Sequence, residues 1–83
     1  MYRIVIPECV LKELKKIHPR DQRLILRKIE ELKEGNFHGD KALKGRHDGK
    51  FRKRAGNYRI VYLKEGEILL ITLVRIAHRK EVY

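Results

Sequence analysis

The strongest constraint on the fold is the alternating stretch "GKFRKRAGNYRIVY" at residues 49–62. Successive side chains of a β-strand point to opposite faces, so alternation on both sides of a Gly-Asn pair predicts a β-hairpin. A two-residue turn at Gly56 and Asn57 pairs Arg54 directly with Arg59. Like charges directly opposite each other destabilise a pair of strands, so this register needs a compensating anion.

The same register divides the hairpin into a cationic face and an apolar face. The cationic face contains Arg52, Arg54 and Arg59. The apolar face contains Tyr58, Ile60, Tyr62 and, from the next strand, Leu69, Ile71 and Leu73. We therefore expect the apolar face to be covered by the rest of the chain and the arginines to face solvent as a preformed cradle for phosphate.

Helical patterns occupy the first half of the chain. The run "YRIVI" at 2–6 predicts a short strand that Pro7 ends. Apolar residues recur at helical spacing over 7–18 and again over 19–35, where Gly35 supplies a stop signal. A glycine-rich loop follows, with Leu43 as its expected anchor in the core.

Three strands complete the predicted fold. They are expected at residues 50–55, 58–64 and 67–77, with a second two-residue turn at Glu65-Gly66. The predicted class is α+β: a small β-α-α-β-β-β domain over residues 1–83, with an antiparallel-rich sheet and two N-terminal helices packed on one face.

Length and composition narrow the classes of protein. A chain of 83 residues suits one small domain, and its single cysteine excludes an internal disulfide. No apolar run approaches the ~20 residues needed to span a bilayer, and the start lacks the apolar region of a signal peptide. We expect a cytoplasmic protein without a membrane partner.

Positive charge is concentrated in one segment. The chain carries 21 Lys and Arg against 11 Asp and Glu, a net charge of +10. Residues 41–59 hold eight of the basic residues and one acid, Asp48, which is +7 of that total. A solvated, solubilising face is the alternative, but concentration on a hairpin favours a polyanion partner. The expected contacts beside the arginine face are Lys41, Lys44, Arg46, Lys50 and Lys53.

Residues 43–83, "LKGRHDGKFRKRAGNYRIVYLKEGEILLITLVRIAHRKEVY", resemble the C-terminal half of RelE/ParE-superfamily toxins. The shared pattern is L-x-G, a basic strand, G-x-Y-R followed by two apolar residues and Tyr, and a final strand ending in H-R-x-x-V-Y. The ending "HRKEVY" is similar to the RelE branch, and the predicted N-terminal elements fit as well. The resemblance implies an mRNA interferase toxin of a type II toxin–antitoxin system that cleaves mRNA in the ribosomal A site.

The resemblance also implies roles for individual residues. The family's basic strand pair falls on Arg52 and Arg54, its phosphate-binding arginine on Arg59, its late arginine on Arg79 and its terminal tyrosine on Tyr83. RelE proteins often have lysines where this chain has Arg52 and Arg54. Because arginine effectively never gives up its proton, the identity of the general base stays open.

His78 is the expected proton-transfer residue on chemical grounds, since imidazole titrates near neutral pH. Strict alternation after a Glu65-Gly66 turn places His78 on the arginine face, and a bulge or an early strand end would be needed to bring Arg79 there instead. A strand-end histidine without a catalytic role remains an alternative, as does a Tyr83 that only packs against the edge of the core.

The implied reaction is attack of an RNA 2′-OH on the adjacent phosphorus, which gives a 2′,3′-cyclic phosphate. We expect no metal or other cofactor, because the spacing of His38, Asp40, His47 and Asp48 matches no known ligand pattern. The implied partners are the ribosome, mRNA and an acidic RelB-like antitoxin in a hetero-oligomer. A ParE-like gyrase-poisoning toxin and a non-catalytic basic nucleic-acid-binding module are the alternatives.

Overall fold

The computed structural model describes residues 1–45 and 49–80, and these contain two helices and one five-stranded sheet. The elements are β1 (Arg3–Val5), α1 (Glu8–Lys15), α2 (Pro19–Lys33), β2 (Lys41–Ala42), β3 (Lys50–Ala55), β4 (Tyr58–Glu65) and β5 (Leu70–His78). The strand order is β1-β5-β4-β3-β2, with β1 parallel to β5 and the other neighbours antiparallel. The predicted α+β class is confirmed, and β2 is an added strand within the predicted loop.

The two helices form a hairpin that local hydrogen bonds close. His18 precedes α2, and its Nδ1 accepts a hydrogen bond from the backbone N–H of Arg20 at 3.1 Å. The Gln22 side-chain amide donates to the carbonyl oxygens of Leu14 at 3.0 Å and Ile17 at 2.8 Å. Leu14 lies in the last turn of α1 and Ile17 follows that helix, so Gln22 ties the start of α2 to the end of α1.

The main core lies between the helix hairpin and one face of the sheet. Its buried side chains include Val10, Leu14, Ile25, Ile29, Leu32, Ile60, Tyr62, Ile71, Leu73 and Ile76. The prediction that Ile60, Tyr62, Ile71 and Leu73 form the covered face of the sheet is confirmed. Tyr58 is only half-buried and packs against this core from its edge. The ring of Tyr62 stacks on Phe51, with a centroid distance of 5.7 Å.

The first hairpin has the predicted register. Ala55 pairs with Tyr58 and Arg54 with Arg59 across a two-residue turn. Gly56 has φ of +62°, a conformation that the first central residue of a II′ turn requires and that L side chains adopt at a cost. The turn residue therefore fixes which side chains share a face along both strands.

The second hairpin turn differs from the prediction. The predicted two-residue turn at Glu65-Gly66 is wrong, because Gly66–Ile68 form a 3₁₀ turn and Glu65 pairs with Leu70. Leu69, expected in the core, lies in this turn with φ of +53° and is 46% exposed. The chain reverses over four residues instead of two, so β5 begins at Leu70.

A β-bulge then changes the facing of the end of β5. Tyr62 pairs with Leu73 while Val61 pairs with Arg75, which leaves Val74 as the extra residue. Beyond the bulge the alternation is inverted. His78 pairs with Tyr58 on the helix-covered face instead of lying among the arginines.

We expect Gly56→Ala to lower the free energy of unfolding by about 1–2 kcal/mol, the usual cost of a left-handed conformation for an L-residue. The added Cβ would also lie 2.9 Å from Leu24 Cδ2, which must shift. Chemical denaturation measures the loss. Asn57→Ala, a change in the same turn without a positive φ, is the control. Equal losses in the two variants would contradict the assigned turn geometry.

Candidate functional site

Four cationic side chains converge on the face of the sheet opposite the helices. Arg52 and Arg54 alternate along β3, and Arg59 lies opposite Arg54 on β4. Lys41 joins them because β2 pairs it directly with Arg52. We call this group, together with Gly39, the arginine cradle, since these five residues line one cavity of about 170 Å³. That volume is below the ~300–1,000 Å³ of small-molecule pockets and suits a group of phosphate size.

Arg59 is the electrostatic centre of the arginine cradle. Its side chain is half-buried, but Nη1 is fully buried and has no hydrogen-bond partner among the described residues. Burial lowers the pKa of the Arg59 guanidinium, and Arg52, Arg54 and Arg79 lower it further by repulsion. Arginine stays charged nonetheless, so a buried N–H of a cation is held ready for an anionic acceptor.

Arg79 reaches the same side of the sheet as Arg59. Its charge acts on Arg59, and its backbone N–H donates to the carbonyl oxygen of Asn57 at 2.8 Å. Beyond the bulge at Val74, Ala77 shares the face of Arg59, and Arg79 is the next residue in the same alternation. The three arginines predicted from the hairpin and the one implied by the resemblance are thus brought together.

His78 is placed elsewhere. The prediction that it lies on the arginine face is wrong, because the bulge turns it towards Tyr58, and the two rings meet edge-on at 5.4 Å. Its Nδ1 accepts a hydrogen bond from the backbone N–H of Lys80 at 3.3 Å. A second cavity on the α1 side contains His78 together with Glu13 and Lys16. His78 is therefore separated from the arginine cradle by the thickness of the sheet.

The prediction that Lys53 contacts RNA beside the arginine face is also wrong. It is 3% exposed on the helix-covered face, and its Nζ donates to Asp40 Oδ1 at 2.9 Å. Glu31 of α2 is a second carboxylate, 3.6 Å from the same ammonium. Asp40 also accepts from the hydroxyl of Tyr62 at 2.5 Å. A buried, doubly paired lysine is a structural group and is not available to an external polyanion.

Burial and the hydrogen bond to Asp40 raise the pKa of Tyr62 well above its usual range. The phenol therefore stays protonated and donates to the Asp40 carboxylate. We call Asp40, Lys53 and Tyr62 the Asp40 anchor. It is the part of the site that our sequence analysis missed, because an aspartate in a glycine-rich loop looks like an ordinary surface residue.

The other predicted contacts are scattered. Lys50 shares the face of Arg52 at the far end of β3, opposite Leu63, and Lys44 is exposed after β2. Arg46 and Tyr83 lie outside the described residues. Leu43 does anchor its loop, but in a small second cluster with Val61, Ala77 and Val74 beside the arginine cradle, not in the main core.

Metal-ligand clusters and membrane-spanning helices are both absent from the described residues. Residues 1–45 and 49–80 contain no group of three or more His, Cys, Asp or Glu side chains arranged to hold a metal ion. Within the same residues, neither helix has the length and apolar character needed to cross a membrane.

The family-model and structure comparisons both match this chain to toxins of toxin–antitoxin systems. Residues 4–83 match the family model described as "ParE toxin of type II toxin-antitoxin system, parDE". The RelB-RelE antitoxin-toxin complex from Methanococcus jannaschii contains a chain 30% identical to this one, with a TM-score of 0.74, covering 95% of this chain and 94% of that one. The archaeal RelE-RelB complex from Pyrococcus horikoshii gives 26% identity, a TM-score of 0.75 and 98% coverage of both chains.

The isolated RelE toxin from E. coli shares the fold with a TM-score of 0.78 at 20% identity, covering 94% of this chain and 84% of that one. No curated protein sequence matches the chain significantly.

We expect Lys53→Met to cost about 3–5 kcal/mol of folding free energy, because it leaves the Asp40 carboxylate buried without its cation. Denaturant unfolding measures this loss. Adding Asp40→Asn to the same chain should recover part of it, since the uncompensated charge is then removed. Lys50→Met on the same strand is the control and should change stability little. A loss in Lys53→Met no larger than in Lys50→Met would contradict the Asp40 anchor.

We also expect inorganic phosphate to stabilise the folded chain through the arginine cradle. The thermal midpoint should rise with phosphate at constant ionic strength, and Arg59→Ala should remove this rise while the chain stays folded. Arg23→Ala, an exposed arginine on α2, is the matched control and should keep the rise. An undiminished response in Arg59→Ala would show that phosphate binds elsewhere.

Proposed function

Because the chain belongs to the ParE toxin family of type II toxin–antitoxin systems, we propose that its arginine cradle is the active site of a ribosome-dependent mRNA endonuclease. The single observation that carries this proposal is the buried Nη1 of Arg59, which has no hydrogen-bond partner among residues 1–45 and 49–80 and lies within a ring of cations. A protein that only poisons another enzyme has no need to hold a guanidinium in this costly state. A phosphate that must be gripped in its transition state gives a reason for it.

The cradle matches the demands of RNA cleavage at one phosphate. Attack of the 2′-oxygen on phosphorus gathers negative charge on the non-bridging oxygens before the 5′-oxygen leaves. Arg54 and Arg59 oppose each other across the hairpin and can bind two of these oxygens from opposite sides. Arg52 and Arg79 lie around Arg59 and hold the developing charge or a neighbouring phosphate.

The proposed partners follow from the relatives. The toxins of Methanococcus jannaschii and Pyrococcus horikoshii are complexed with RelB antitoxins. We propose a cognate acidic antitoxin for this chain, since a segment with +7 over residues 41–59 attracts a partner of opposite charge. In the cytoplasm, this hetero-oligomer would keep the cradle from the ribosome until the antitoxin is lost.

A gyrase-poisoning activity is the second candidate. It is favoured by the description of the matching family as ParE toxins of parDE systems. The endonuclease is the better-supported of the two, because the clustered Arg52, Arg54 and Arg59 and the ending "HRKEVY" resemble the RelE branch. Gyrase poisons of this fold lack the nuclease residues.

Brief induction of the chain in bacteria distinguishes the two activities. We expect new mRNA ends within codons, carrying a 2′,3′-cyclic phosphate on the upstream fragment, and no rise in gyrase-linked DNA breaks. Arg59→Ala should lower single-turnover cleavage on programmed ribosomes by about two to three orders of magnitude, the usual loss when one donor to a transition-state oxyanion is removed.

The control for this experiment is Arg23→Ala, which removes one positive charge from α2 and should cleave like the parental chain. Gyrase-linked breaks in cells whose mRNA stays intact would overturn the endonuclease and establish the second candidate.

A further inference from the structure

Cleavage in the arginine cradle needs a proton donor that arginine does not supply. When the bond between phosphorus and the 5′-oxygen breaks, the leaving alkoxide must acquire a proton. The guanidinium of Arg52, Arg54 or Arg59 neutralises charge but effectively never releases a proton in a protein. His78, the expected proton-transfer residue, lies on the other face of the sheet against Tyr58.

The geometry points to Lys41 as the general acid of the cradle, an inference that rests on the proposed endonuclease function. The cavity is lined by Gly39, Lys41 and the three arginines of the hairpin. Of these described lining residues, Lys41 alone carries a group that exchanges its proton with a reacting oxygen. The ammonium of a lysine carries three N–H donors and no acceptor, so it can serve as a proton donor.

The residues before and after Lys41 fix its backbone beside the cavity. Asp40, the residue before it, is buried, with its carboxylate bound to Lys53 and Tyr62. After it, the backbone N–H of Leu43 donates to the carbonyl oxygen of Lys50 at 2.9 Å, which continues the pairing of β2 with β3. The backbone of Lys41 is therefore fixed opposite Arg52, while its exposed side chain keeps the freedom to follow a substrate.

In the proposed step, solvent takes one proton and the Lys41 ammonium supplies another. Water or a buffer base accepts the proton of the 2′-OH, and the 2′-oxygen forms a bond to phosphorus. The bond from phosphorus to the 5′-oxygen breaks, and that oxygen takes a proton from the Lys41 ammonium. The products are a 2′,3′-cyclic phosphate and a 5′-hydroxyl, and solvent then reprotonates the Lys41 amine.

Replacing Lys41 with arginine tests proton donation without changing the charge of the side chain. Lys41→Arg keeps the positive charge and, with it, binding to the ribosome, but it should slow cleavage by about two to four orders of magnitude. Lys41→Met should lose a similar factor in cleavage. Lys12→Met, an exposed lysine on α1, is the matched control and should cleave like the parental chain.

An mRNA with sulfur replacing the 5′-oxygen at the scissile phosphate makes the test specific. A thiolate leaves without being protonated, since thiols are far more acidic than alcohols. We therefore expect Lys41→Arg to cleave the sulfur substrate at the parental rate in single turnover on programmed ribosomes, whereas Arg59→Ala should stay slow on both substrates.

Two results would overturn the inference. If Lys41→Arg cleaves the oxygen substrate at the parental rate, or is slowed equally on the oxygen and sulfur substrates, Lys41 is not the general acid, although the proposed endonuclease stands. If the parental chain cleaves neither substrate on ribosomes, the endonuclease and the role of Lys41 both fail.

Discussion

The buried carboxylate of Asp40 is the interaction on which both faces of the sheet depend. On the helix side it accepts from the Lys53 ammonium and the Tyr62 hydroxyl, and so allows a lysine to lie within an otherwise apolar layer. On the other side its chain neighbours, Gly39 and Lys41, form one wall of the arginine cradle. A single residue thus joins the packing of the core to the shape of the site.

The arginine cradle is destabilising in the absence of an anion, and the rest of the fold offsets that cost. Opposed arginines cost up to about 1 kcal/mol, and a buried N–H without an acceptor costs about 1–3 kcal/mol. The apolar core on the opposite face and the Asp40 anchor hold Arg54 and Arg59 in place regardless. An anion bound between them would offset both costs, because it neutralises the repulsion and accepts a hydrogen bond from the buried N–H. The same arrangement that destabilises the free chain therefore favours phosphate binding.

The hairpin and its arginine face were predictable from two features of the sequence. The Gly56-Asn57 turn sets the register of the two strands, and the alternation of side chains then determines which residues share a face. The register at Gly56 and the buried positions of Ile60 and Tyr62 follow from that pattern alone. The burial of Lys53 could also have been inferred, since the alternation that places Arg52 and Arg54 on one face places Lys53 on the other. What was missing was a buried partner, and Asp40 lies thirteen residues earlier in the chain.

The facing of His78 and Arg79 was not predictable in the same way. It depends on one extra residue, Val74, between Leu73 and Arg75, where no glycine or proline indicates a bulge. The four-residue turn before β5 was not predictable for a similar reason. Leu69 has φ of +53°, and nothing in the sequence indicates a leucine in this conformation. The strand β2 is only two residues long and exists because β3 offers it an edge.

The most direct test of the phosphate cradle is a structure of the chain bound to a ribosome whose A-site codon carries a 2′-O-methyl group at the cleavage point, which blocks the attacking oxygen. We expect a non-bridging oxygen of the scissile phosphate to lie about 3 Å from Nη1 of Arg59, as a hydrogen bond requires. A scissile phosphate held away from Arg59, with Nη1 still buried and unpartnered, would contradict it.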